Sequence, residues 1–185
     1  MDNQFTRMAR INPLPEQDAP APVKAAFEEH RTRYQARITN MKATLAHSLP
    51  AFDIYMEWYR LYQRVQEILG PRLAYLFAYS ISSGSGCPLC TTFFRKIIID
   101  NGEQPEHIHF NQHEQLLIDF GSQIAQQRGK VEEELFEKIS SIYNQEQLVE
   151  LIAFAGQMIA TNVFSNVTET DIDEYLQAYI PSTPK

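Results

Sequence analysis

Cys87 and Cys90 are the only cysteines among the 185 residues of the chain, in the stretch Gly84-Ser85-Gly86-Cys87-Pro88-Leu89-Cys90-Thr91-Thr92-Phe93-Phe94-Arg95-Lys96. A separation of three puts two sulfurs on one face of a helical turn, close enough to bridge. Gly84 and Gly86 interrupt whatever precedes, and Pro88 suits the first position of a helix, where its missing N–H costs nothing. The spacing therefore predicts a helix with Cys87 at or beside its N-cap and Cys90 in its first turn. Unpaired N–H groups and the helix dipole at that end favour thiolate over thiol. Arg95 and Lys96, one to two turns on, add positive charge. Reversible dithiol–disulfide chemistry is the reading; a metal pair and two small buried hydrophobes are the alternatives.

The rest of the chain must hold that turn in place. Its length predicts an extended N-terminal arm over 1–20, a single domain over 21–180 with a core that needs no staples, and a frayed tail over 181–185. A formal charge of -7 and the lack of any basic run argue against nucleic-acid binding. No apolar run approaches the roughly eighteen residues of a membrane span, and Met-Asp-Asn-Gln does not begin a signal peptide. The expected compartment is the cytoplasm, where a C-x-x-C is catalytic or metal-binding more often than a permanent staple.

Helical periodicity dominates. Pro13, Pro15 and Pro20 punctuate the arm, and Ile11 and Leu14 suggest that it lies across the body. From Pro22 a helix carries Val23, Ala26 and Phe27 on one side. A short helix over Met41–His47 follows. Ser48-Leu49-Pro50 opens a longer one, striped by Phe52, Tyr55, Met56, Tyr59 and Tyr62 and stopped at Gly70-Pro71. Residues 72–84 fit either a helix or an alternating strand; the absence of any sheet partner selects a helix. Asn101-Gly102 ends the C-x-x-C helix. Asn111 with Glu114, and Asn144 with Gln147, predict capping boxes for two further helices. Between them a helix runs over Glu132–Tyr143. The last helix, from Leu148 to Val163, is apolar almost all round and is therefore expected to be central, with Ala153, Gly156 and Ala160 as a ridge that admits a close neighbour.

Several segments coincide in order and spacing: Leu14-Pro15-Glu16 with Ala19-Pro20-Ala21-Pro22-Val23 and Phe27, then Ala46-His47-Ser48, then the C-x-x-C helix. Phe136-Glu137-Lys138-Ile139 and Gln145-Glu146-Gln147-Leu148-Val149-Glu150-Leu151 complete them. Over about residues 11–168 the chain resembles the carboxymuconolactone decarboxylase / alkyl hydroperoxidase D family. The resemblance implies an all-α, AhpD-like multi-helix bundle with the CxxC at the N-terminus of a core helix, assembled as a homo-oligomer, a trimer or hexamer. It implies a thiol-dependent hydroperoxide reductase of the peroxiredoxin type, with a hydroperoxide substrate, a thiol or dithiol reductant, and no cofactor beyond the redox-active disulfide. Cys90 would attack the peroxide and Cys87 would resolve the sulfenic acid. Local physics instead favours Cys87 as the better-stabilised thiolate, being nearer the helix end.

The family's motif also has a glutamate twelve residues before the first cysteine and a histidine four after the second. Here those positions hold Tyr75 and Phe94, and Leu89 stands where a histidine or tyrosine is common. The proton relay is therefore not carried over, and positioned acid–base help is worth about 10²–10⁴ in rate. Tyr75, Tyr79, Ser82 and Ser83 on the preceding helix are the candidate proton donors, although as residue types they read equally as aromatic core and solvated helix end. A drifted oligomeric scaffold that binds a small ligand is the alternative function, favoured by Tyr75 and Phe94. Lactone decarboxylation is weaker still, because that branch does not use a dithiol.

His107, His109 and His113 follow the C-x-x-C helix with an echo of two-Cys, two-His zinc spacing. The central gap is too long and a helix lies between, so zinc is disfavoured and the three read as solvent-facing. His47, on an otherwise apolar short helix, reads as a satisfied core histidine.

Overall fold

The computed structural model describes residues 9–181; the first eight residues of the arm and residues 182–185 of the tail lie outside the described residues. Nine α-helices and no strand form among the described residues. They are α1 (Ala21–Tyr34), α2 (Asn40–Leu45), α3 (Leu49–Met56), α4 (Trp58–Leu69) and α5 (Pro71–Gly84). Then come α6 (Pro88–Asp100), α7 (Gln112–Gln126), α8 (Glu133–Ile142) and α9 (Gln145–Thr168). Short 3-10 turns lie at Glu16–Asp18 and Glu174–Tyr179.

Local chemistry starts these helices where their sequences ask. Asn111 and Glu114 at α7, and Asn144 and Gln147 at α9, form reciprocal capping boxes that satisfy two otherwise unpaired N–H groups at each start. Thr39 and Ser48 cap α2 and α3. The ambiguous segment 72–84 lies within α5, whose Leu73, Ala74, Leu76, Phe77, Ala78 and Ile81 are all buried. It is the axis of the bundle, packed by α4, α6, α7 and α9. Enclosure on all sides explains why its pattern was unreadable, since a segment buried all round shows neither period cleanly.

Three apolar clusters result. The largest gathers Phe77, Phe94, Leu117, Phe120, Ile139 and Phe154 around α5. A second joins α1, α2 and α3 through Val23, Phe27, Leu45, Phe52 and Met56. The third holds Cys87, Leu89, Cys90 and Leu176. The arm lies against the body: Arg10 N–H donates to Thr168 O at 2.8 Å and Leu14 N–H to Ala43 O at 3.2 Å.

Three expectations change. The helix after Ser48 is interrupted at Glu57, because Phe52 and Met56 pack into the second cluster whereas Val65 packs into the first. The chain turns between them to serve both. α9 is not enclosed: Leu151, Phe154, Ala155 and Met158 are buried, but Val149, Ile152, Val163 and Val167 are exposed. The ridge of Ala153, Gly156 and Ala160 lies on that outer face. By length and composition α9 could cross a membrane, yet its inner face packs against α4 and α5. His47 is exposed, with a ring nitrogen 3.0 Å from Asn12 O; the buried histidine is His30.

The crossing of α5 and α7 is set by Gly121. A Cβ there would lie 2.5 Å from Ser80 Oγ and 2.8 and 2.9 Å from the Phe77 ring. Gly121→Ala is therefore expected to cost about 1–3 kcal/mol of stability, read as a lower midpoint in urea unfolding at unchanged slope.

Candidate functional site

Gly86, with φ of +60°, takes the left-handed conformation that turns the chain from α5 into α6. Asn166 on α9 secures this turn, its Nδ2 donating to Ser85 O and Gly86 O at 3.4 Å each. Cys87 N–H donates to Ser82 O at 3.2 Å. Cys87 is thus held as the N-cap of α6, in extended conformation, with Pro88 the first helical residue. Its Sγ accepts the N–H of Cys90 at 3.3 Å. The sulfur performs the task usually given to a serine or aspartate oxygen.

Both thiols are free; Cys87 is fully buried and Cys90 is 8% exposed. Their electrostatics diverge. The Cys87 thiol is lowered from its ordinary value, first by the hydrogen bond from Cys90 and then by the N–H groups of Cys90 and Leu89, against the opposing effect of burial. The Cys90 thiol is pushed well up, first because it donates to Cys87, then by burial and by the negative charge beside it. When the pair loses one proton, it is therefore Cys87 that ionises and Cys90 that stays protonated. Ser165 stands beside both sulfurs and lowers both thiols, while its buried Oγ has no hydrogen-bond partner of ordinary geometry.

The basic residues do not take part. Arg95 pairs with Glu106 at 2.6 Å and donates from Nε to Tyr179 O at 3.0 Å, and Lys96 pairs with Asp100. Of the four candidate proton donors, Tyr75 donates its hydroxyl to Glu103 Oε1 at 2.9 Å, within a network that also holds Arg72 and Glu114. Tyr79 packs against the main core and Ser83 is exposed. Ser82 is fully buried with an unpartnered Oγ. It lies near the sulfurs, since its carbonyl holds Cys87. Phe94 is buried in the main core. His107, His109 and His113 are exposed, and among the described residues no group of histidines, cysteines and carboxylates is placed to hold a metal.

Cys90 borders a cavity. It measures about 80 Å³ and lies between α2, α4, α6, α9 and the last 3-10 turn, lined by Cys90, Phe93, Met158, Ser165 and Leu176 among others. Cys87 is not in its wall. On the other side of Leu89 and Ser165 an open surface groove runs past Pro88 and Asn166.

The cavity wall also carries a charged group that the sequence reading missed. Lys42, 5% exposed, donates to Arg37 O at 2.7 Å and Tyr59 Oη at 2.9 Å and meets His30 Nε2 at 2.9 Å. Burial lowers Lys42 to about 8, opposed by Asp173. Burial, then Lys42 and Arg31, lowers His30 to about 4, so the imidazole is neutral and accepts the lysine proton. The only sequence signal was a lysine on the short helix that also carries Met41 and Leu45.

No family model matches the chain, nor does any curated protein. Solved structures do. The chain is similar to the debrominase Bmp8 in its apo form, at 16% identity over 92% of this chain and 95% of that one, with a TM-score of 0.71. A cysteine-to-alanine variant of Bmp8 in complex with 2,3,4-tribromopyrrole matches at 16% identity over 96% and 97%, with a TM-score of 0.75. An uncharacterized peroxidase-related protein from Silicibacter sp. TM1040 matches at 14% identity over 96% and 100%, with a TM-score of 0.70. At such identities the likeness establishes the fold, an AhpD-like all-helical bundle.

The shared proton makes a signed prediction. Replacing Cys90 by alanine removes the side-chain donor to Cys87, so the remaining thiol titrates at higher pH than Cys87 does in the native pair. Replacing Cys87 by serine removes the neighbouring charge, so the remaining thiol titrates at lower pH than Cys90 does natively. Thiolate absorbance at 240 nm, followed against pH in the reduced proteins, checks both directions.

Proposed function

We propose that the chain is a dithiol oxidoreductase that reduces a small apolar hydroperoxide, with Cys90 as the attacking sulfur and Cys87 as its base and resolving partner. The observation that carries this reading is the division of labour between the sulfurs: Cys90 lines the cavity, and the buried Cys87 is the sulfur whose ionisation its neighbours favour. Cys87 takes the proton of Cys90 as Cys90 attacks the distal peroxide oxygen and the O–O bond breaks. The departing alkoxide receives that proton, leaving the alcohol and a Cys90 sulfenic acid. Cys87, again a thiolate, attacks the sulfenic sulfur and expels hydroxide, which becomes water with the proton that Cys87 gave to solvent on first ionising. The balance is ROOH plus two thiols giving ROH, water and one disulfide. Cys87 so supplies the proton transfer that Tyr75 and Phe94 cannot. A thiol or dithiol reductant closes the cycle, which suits a reducing compartment such as the cytoplasm.

A second reading uses the same sulfurs. The cavity near Cys90 is small and apolar, and one structural neighbour is a debrominase held with a bromopyrrole. Two thiols and a C–Br bond give a C–H bond, bromide, a proton and the disulfide. A drifted scaffold that binds but does not react is the third.

One equivalent of tert-butyl hydroperoxide is expected to consume two free thiols per chain with no intermolecular cross-link, and Cys90→Ser to slow peroxide loss at least 100-fold. Unchanged peroxide consumption by Cys90→Ser ends the proposal. Bromide release from a bromopyrrole without peroxide turnover selects the second reading, and neither reaction selects the scaffold.

Self-association, as a trimer or hexamer, is part of the same proposal and rests on α9. Val149, Ile152, Gly156, Ala160, Val163 and Val167 lie on its outer face at intervals of three and four, which makes an apolar stripe with small residues at its middle. A Cβ at Gly156 meets nothing within 4 Å, so a side chain there leaves the single chain intact. Gly156→Arg is expected to convert the assembly to monomers in analytical ultracentrifugation while preserving the far-UV circular dichroism.

A further inference from the structure

The dithiol is closed in more tightly than the proposed chemistry allows. Cys87 is fully buried, Cys90 is 8% exposed, and the cavity of about 80 Å³ beside Cys90 is near half the roughly 150 Å³ that accommodates benzene. A hydroperoxide and a thiol reductant must nevertheless each reach a sulfur, so part of the wall has to move.

The helices of the wall are held from behind. α4, α6 and α9 bury Val65, Phe94, Ile98, Leu151 and Phe154 in the main core, and α2 buries Leu45 in the second cluster. The segment 171–180, which follows α9 and includes the last 3-10 turn, belongs to neither. Its one buried apolar side chain is Leu176, 1% exposed, which completes the third cluster with Cys87, Leu89 and Cys90.

Polar latches hold the two ends of this segment. Asp173 Oδ1 accepts the N–H of Asn40 at 2.9 Å, and Asn40 Nδ2 donates to Asp171 O at 3.0 Å. At the other end Arg95 Nε donates to Tyr179 O at 3.0 Å, and Tyr179 Oη to Asp100 Oδ1 at 3.1 Å. Such bonds exchange for bonds to water at a modest net cost. Seating Asp173 also takes a carboxylate out of water, with its Oδ2 left without a hydrogen-bond partner among the described residues, and opening reverses that cost. Thr170 stays fixed to α9, its N–H donating to Ser165 O at 3.1 Å and its Oγ1 2.7 Å from that of Thr168, so the pivot falls after it.

We propose that residues 171–180 are a cover over the dithiol, seated by Leu176 and latched at Asn40 and Arg95, which lifts from α2 and α6 to admit the hydroperoxide and the reductant. The need to open rests on the dithiol reading; the cover itself is a property of the resting chain. Lifting it uncovers the third cluster and leaves both larger cores intact, so it is a local event of lower free energy than unfolding.

Iodoacetamide alkylation of the reduced full chain, followed by mass spectrometry in rising urea below the unfolding transition, reads the opening, with rates taken per thiolate. The wild-type rate is expected to lie below that of the unfolded chain and to change little with urea, because a short segment exposes little surface. Leu176→Ala is expected to raise it about tenfold or more. Leu117→Ala, which removes the same side chain from the main core, is expected to lower the urea midpoint of unfolding and leave the alkylation rate unchanged. Wild-type alkylation as fast as in the unfolded chain, or climbing with the full urea slope of unfolding, overturns the proposal. So does an unchanged rate in Leu176→Ala, or equal acceleration by Leu117→Ala. The wild-type measurement decides even where a variant does not fold. Alkylation needs a thiol but no turnover: gated alkylation without peroxide loss fails the dithiol reading alone, and peroxide turnover with ungated alkylation fails the cover alone.

Discussion

The site depends on a hydrogen bond from the N–H of Cys90 to the sulfur of Cys87, made across the first turn of α6. As a thiol, Cys87 is a poor cap; as a thiolate it is a charge-assisted acceptor at the positive end of a helix. Cap and charge therefore strengthen each other, and the same geometry turns the second thiol into a donor. The surrounding structure keeps this turn from relaxing. Gly86 adopts a backbone conformation that few other residues tolerate, Pro88 starts the helix, and Asn166 holds two carbonyls from a different helix.

What stabilises the charge is close and neutral rather than distant and cationic. Arg95 and Lys96 have the right sign, but each is paired with its own carboxylate. A cation already neutralised by its own partner contributes little to a third group, whereas a hydrogen bond to a charged group is worth about 1.5–3 kcal/mol. The Cys90 thiol and then two backbone donors thus lead in lowering the Cys87 thiol. The consequence is chemical as well as electrostatic. The sulfur that ionises more readily is thus not the one that borders the cavity.

α9 connects the site to the outside of the molecule. Its inner face supplies Met158, Thr161 and Ser165 to the cavity and Asn166 to the turn before Cys87. Its outer face is apolar along the same length. A helix that is apolar all round belongs inside something. The packing here encloses one side only, and that uncovered side is what the proposed self-association rests on. A copy packed there would also brace the helix that positions the dithiol.

The sequence by itself determined whatever is settled within a turn or two of the backbone. The helix starts at Asn111, Asn144 and Cys87, the stop at Asn101-Gly102, the all-helical class and the two sulfurs on one turn follow from residues that touch their own near neighbours. Tertiary structure decided the rest. It broke the helix at Glu57 between two cores, put α5 rather than α9 at the centre, turned Tyr75 toward Glu103 and spent the basic pair after the motif. It also built the cavity, where Asn40 and Asp173, 133 residues apart in the chain, meet. No local pattern marks Lys42 or Asp173, because burial is a property of what packs around a side chain, and those neighbours come from five separate elements.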